Sequence, residues 1–102
     1  MNINDMLIQL CEEAGEVTQA ACKWQRFGPD SVHPRDEQQI PNKTLLAREI
    51  GNLLAIVQLL NDEGVDEHEV NFGIQEKMRK LKKYGYLDDT YGHPSNISMP
   101  QE

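Results

Sequence analysis

Several things are scarce in this chain, and each scarcity closes off a class of function. No apolar run in its 102 residues approaches the roughly 20 that span a bilayer, and no signal-peptide pattern opens it. The expectation is a cytoplasmic protein with no membrane role. Cations are also few: Lys and Arg number 10 against 17 Asp and Glu, a net charge of −7. That balance excludes a nucleic-acid polymer held by electrostatics. It leaves room for a small phosphorylated ligand whose charge a metal ion screens. Only two cysteines are present, Cys11 and Cys22. Eleven residues apart on one expected helix, they would lie about 16 Å apart along its axis, too far for a disulfide. Reduced thiols filling small apolar gaps are the simpler reading. Strand signals are absent too, so the chain reads as all-α.

What the sequence does carry is helical rhythm. Ile3, Leu7, Leu10, Ala14, Val17, Ala21 and Trp24 alternate spacings of four and three, which puts one apolar stripe on a first helix. Asn2 or Asn4 can cap its start, and Gly28-Pro29-Asp30 ends it after Phe27. Residues 28–43 hold three prolines and no period, the mark of a mobile lid or a disordered loop. A second helix, capped by Asn42 or Thr44, runs to about Glu63. It has two apolar stripes: Leu46, Ile50, Leu53, Val57 and Leu60 on one side, and Leu45, Ile56 and Leu59 on another. Asp66 caps a third helix from Glu67 to about Tyr84, with a basic second half. The expected architecture is therefore a bundle of three main helices in one domain, residues 1–84, followed by an extended tail, 85–102. A chain this short buries a thin core, so oligomerisation is expected to complete it.

The chemistry concentrates in Glu12-Glu13-Ala14-Gly15-Glu16. Glu13 and Glu16 stand one turn apart beside the apolar stripe, with Gln9, Ala20 and Phe27 on the same side, whereas Glu12 points away from the core. Like charges so placed repel unless a cation is shared. Thirty-six residues later Leu46-Ala47-Arg48-Glu49-Ile50-Gly51-Asn52-Leu53 repeats the pattern of Leu10 to Val17. Thirty-six residues are ten helical turns, so Glu49 and Asn52 hold on their helix the place of Glu13 and Glu16 on theirs. Packed antiparallel, the two helices would gather three carboxylates and one amide. An all-oxygen set suits Mg²⁺ or Mn²⁺ better than zinc. A carboxylate-bridged di-iron bundle would bring Glu-x-x-His pairs, and neither motif contains a histidine.

These paired motifs resemble those of the MazG-like, all-α nucleoside triphosphate pyrophosphohydrolases. Glu12-Glu13-Ala14-Gly15-Glu16 matches that family's EExxE signature, and Glu49-Ile50-Gly51-Asn52 is similar to its ExxD, with Asn52 where the family has Asp. The resemblance covers residues 3 to 84. It implies hydrolysis of a (d)NTP between the α- and β-phosphates, releasing (d)NMP and pyrophosphate. It implies Mg²⁺, with Mn²⁺ as a substitute, held by Glu13, Glu16 and Glu49 as catalytic ligands, with Asn52 in the fourth place and Glu12 beside them. Gln9, Lys23, Trp24, Phe27, Lys77 and Lys80 become candidate substrate contacts. Weighed against that, Trp24 and Phe27 can be packing residues and the lysines a solvated face. A homodimer or homotetramer is expected, because one chain would leave the second stripe of the second helix, Leu45, Ile56 and Leu59, bare. Two other readings stand beside this one: a dUTPase-like or phosphoribosyl-ATP-type pyrophosphohydrolase, and a non-catalytic helical interaction module.

Overall fold

The structure is a computed structural model and describes residues 1–88. Three helices follow one another, α1 (Ile3–Phe27), α2 (Asn42–Asp62) and α3 (Glu67–Lys83). No strand occurs among the described residues, so the fold is all-α. The chain divides into two compact units, Met1–Leu60 and Asn61–Glu102. Most of the expected tail, from residue 89 on, lies outside the described residues.

Local chemistry sets the ends of α1. Asn2 holds an extended conformation and its Oδ1 accepts from the Asp5 N–H at 2.8 Å, filling one of the donors that a helix start leaves open. At the other end Gly28 takes φ 92°, where a side chain would be strained, and donates its N–H to the Trp24 carbonyl at 2.8 Å. Pro29 follows and has no N–H with which to continue.

The linker 28–41 forms no regular element, yet its backbone is pinned. Asp36 accepts from the Gln38 N–H at 3.0 Å and from the Ile40 N–H at 2.8 Å. The Asn42 N–H donates to the Ser31 carbonyl and the Lys43 N–H to the Pro29 carbonyl, both at 2.9 Å. Lys43 and Asp30 form an ion pair at 2.7 Å. The segment expected as a lid or loop is thus joined by backbone and side-chain bonds to the start of α2. The expected cap of α2 changes. Asn42, buried, donates its amide away from α2, to the Gly28 carbonyl at 3.0 Å and more weakly to the Lys23 carbonyl at 3.4 Å. The Pro41 carbonyl starts α2 instead, accepting from Leu45 at 2.9 Å.

These bonds run α2 antiparallel to α1, with Asn42 beside Lys23 and Gly28, and Glu49 beside Glu16. The side of α1 that is covered differs from the expected stripe. Met6 and Ala20 are buried, and Leu10, Glu13 and Val17 are half-buried, whereas Ile3, Leu7 and Trp24 of the expected stripe are exposed. The apolar positions of α1 exceed one face, and the covered flank is the one nearest the carboxylates. On α2, Leu60 is buried, and Leu45, Leu46, Leu53, Ile56 and Val57 are half-buried. Of the second stripe, Leu45, Ile56 and Leu59, only Leu59 is exposed, and Ile50 of the first stripe is exposed too.

In the second unit, Asp66 Oδ1 accepts from the His68 N–H at 2.9 Å and starts α3. Val70, Ile74, Met78 and Leu81 keep helical spacing and are half-buried; Phe72 falls off that stripe and is exposed. Gly85, at φ 82°, lets the Tyr86 N–H reach back to the Leu81 carbonyl at 2.8 Å and closes the helix.

Candidate metal centre

Glu13 and Glu16 project from one flank of α1 because they are three residues apart. Glu49 meets them from α2 because the helices run antiparallel, with Ala20 buried and Leu45 half-buried one turn further along. Each of the three offers a carboxylate oxygen, and these oxygens all lie within 4.8 Å of one another. Two oxygens trans on Mg²⁺ stand about 4 Å apart and on Ca²⁺ about 5 Å, so modest side-chain rotation closes the set around a cation.

The surroundings of those oxygens say more than the count of carboxylates. Glu13 Oε2 and Glu49 Oε2 are removed from water and have no hydrogen-bond partner. A charged oxygen left so is costly, and either a proton or a cation relieves it. The Glu49 pKa is raised, first by burial, then by its hydrogen bond to Glu16 and by the Glu16 charge; the Asn52 amide and the Lys23 ammonium act the other way. The donor set is hard oxygen, which fits Mg²⁺ or Mn²⁺. Asn52 is exposed, and its amide acts to lower the Glu49 pKa, so it lies next to that carboxyl. Glu12 is exposed and stands outside the group. Gln9, one turn before Glu13, is half-buried.

Lys23 connects this centre to open space. A cavity of about 220 Å³ is lined by Glu16, Gln19, Lys23, Leu45 and Glu49. A second, of about 410 Å³, is lined by Lys23, Phe27, Val32, His33 and Pro34. A third, of about 280 Å³, lies along Thr18, Cys22, Lys23, Arg26 and Phe27. Lys23 borders all three and Phe27 two. Trp24 lines none of these cavities and is 40% exposed. Lys77 and Lys80 are exposed on α3, in the second unit.

Sequence reasoning passed over the wall formed by Val32, His33 and Pro34. Its available signal was Asp36, whose side chain turns the segment back on itself. No protein-family model, no curated protein and no solved structure matches this chain.

Proposed function

We propose that this chain is a Mg²⁺-dependent nucleoside triphosphate pyrophosphohydrolase of the MazG-like all-α kind, acting in the cytoplasm as a homodimer or homotetramer. The observation supporting it is the convergence of Glu13, Glu16 and Glu49 from two helices, with two of their oxygens buried and unpartnered. A solvated acidic face would leave those oxygens in water.

Bound there, Mg²⁺ or Mn²⁺ would offset triphosphate charge and lower the pKa of a coordinated water. The rest falls to the chain. Glu13 and Glu49, on facing helices, hold the cation side of the site. Glu16, the exposed member, keeps access to solvent and orients the attacking water. Lys23, next to Glu49, meets a phosphate oxygen and steadies charge as the bond breaks. The water oxygen bonds to the α-phosphorus, the bond to the α–β bridging oxygen breaks, and pyrophosphate leaves. The water proton passes to a carboxylate or to solvent. Positioning and charge stabilisation suffice for such a displacement.

The test is pyrophosphate release from a panel of NTPs and dNTPs with and without Mg²⁺. Release from at least one nucleotide, lost on chelation, is expected. Silence across the whole panel with Mg²⁺ and Mn²⁺ leaves the non-catalytic helical module in its place.

A further inference from the structure

The cavity at the end of α1 has the makings of a second, chemically different subsite. Its volume of about 410 Å³ falls in the range of small-ligand pockets. Phe27, 62% exposed, offers a ring face from the helix, and Val32 and Pro34 offer apolar surface from the linker. His33 adds the polar group. Its Nδ1 accepts from the Arg35 N–H at 3.0 Å, and its carbonyl accepts from the Asp36 N–H at 3.0 Å. The imidazole is thus held in place, and in the neutral ring Nε2–H is left as a donor. The wall is pre-built, because Asn42 ties Gly28 and Ser31 to the start of α2.

Position supplies the rest. Lys23 lines both this cavity and the one beside Glu16 and Glu49. From Glu16 to Phe27, α1 rises about 16 Å, with Lys23 about 10 Å along it. The face thus runs from carboxylates through one ammonium to an aromatic, apolar hollow. That order matches an extended molecule with phosphates at one end and a flat ring at the other.

We infer that the cavity between Phe27 and the Val32–Pro34 wall binds the heteroaromatic base of the nucleotide, stacked on Phe27, with His33 Nε2–H donating to an acceptor on the ring edge. The inference rests on the carboxylate site carrying the phosphates. It assigns base preference to the linker, a part of the chain that the catalytic reading leaves idle. Stacking of one base on an aromatic side chain is worth about tenfold in affinity.

Equilibrium binding with Mn²⁺ separates the two subsites. The probes are Mn²⁺ alone, inorganic tripolyphosphate, and the α,β-methylene analogues of the common nucleoside triphosphates, tested on the full chain, on Val32→Trp, which fills the cavity, and on Phe27→Ala, which removes the platform from a helix surface. At least one analogue should bind about tenfold tighter than tripolyphosphate to the parent chain. Both variants should lose that margin and keep parent affinity for tripolyphosphate. Equal affinity of the parent for tripolyphosphate and every analogue overturns the base subsite and leaves the carboxylate reading standing. Failure of Mn²⁺ and tripolyphosphate to bind overturns the carboxylate reading instead. In that event nucleosides without metal decide the cavity: movement of the His33 imidazole resonances in the parent and not in Val32→Trp supports it, and no movement overturns it.

Discussion

At the residue scale, Glu49 and Asp36 titrate in opposite senses, which gives the protein a readable pH signature. Glu49 sits above its ordinary 4.5 because of burial and then Glu16; Asp36 sits below 3.8 because the Ile40 and Gln38 N–H groups donate to it. A carboxyl with a raised folded pKa binds more protons folded than unfolded. Its stabilisation is complete below about 4.5 and is lost as pH rises through the folded pKa. Asp36 works in reverse, its share present above 3.8 and lost as pH falls. Metal-free protein should therefore melt at lower temperatures as pH rises above 4.5, and millimolar Mg²⁺ should abolish that decline; circular-dichroism melts in EDTA and in Mg²⁺ compare the two. Glu49→Gln should flatten the profile and raise metal-free stability at pH 7 by up to about 1 kcal/mol. The same change should cut pyrophosphate release by more than about a hundredfold, since partners one step removed from a metal already cost 10- to 100-fold. The Asn52 amide lies next to Glu49, so Asn52→Asp would set a further charge beside a cation held there. An affinity gain of about tenfold, about 1.4 kcal/mol, is expected in a Mn²⁺ titration; a parent-like dissociation constant places Asn52 outside the ligand set.

At the scale of elements, the linker depends on one buried side chain. Asn42 donates to the Gly28 carbonyl and, more weakly, to the Lys23 carbonyl, and its backbone N–H holds Ser31. Asn42→Ala leaves those side-chain-bonded carbonyls short of a donor, at a cost of about 1–3 kcal/mol. The strain should show first in the linker: the parent should resist limited proteolysis between residues 28 and 41 without nucleotide, and Asn42→Ala should be cut there. Equal resistance in both proteins would mean that the Lys43–Asp30 pair and the Asp36 turn hold the linker without Asn42. The helices themselves were legible in the sequence because their stops are local, with Asn2 and Asp66 as caps and Gly28-Pro29 as a break. The carboxylate trio was legible because two similar octets stand a whole number of turns apart. The linker was not, because its order comes from an amide on α2 reaching carbonyls 14 and 19 residues earlier. Nor was the covered face of α1, where two overlapping apolar sets compete and only the neighbouring helix decides between them.

At the scale of the whole molecule, the apolar surface is out of proportion to the core. Among the described hydrophobic residues only Met6, Ala20 and Leu60 are buried, and no large side chain is fully enclosed. Meanwhile Ile3 and Leu7 lie exposed one turn apart on α1, and Trp24 lies exposed near its other end. These are the residues whose rhythm marked them as core, so their pattern is that of a face meant to be covered. Burying each such side chain contributes about 1.5–3 kcal/mol, a large share of the stability of a small domain. A second copy can supply the cover, and the protein should then form a homo-oligomer at micromolar concentration. Light scattering should give a multiple of 11.7 kDa. Because association favours the folded chain by mass action, the melting temperature should rise with protein concentration. Leu7→Glu, which puts a charge on that face, should shift the mass toward the monomer and remove the concentration dependence together. A mass of 11.7 kDa for the parent, with a melting temperature indifferent to dilution, would show that the face stays bare and that the few buried residues suffice.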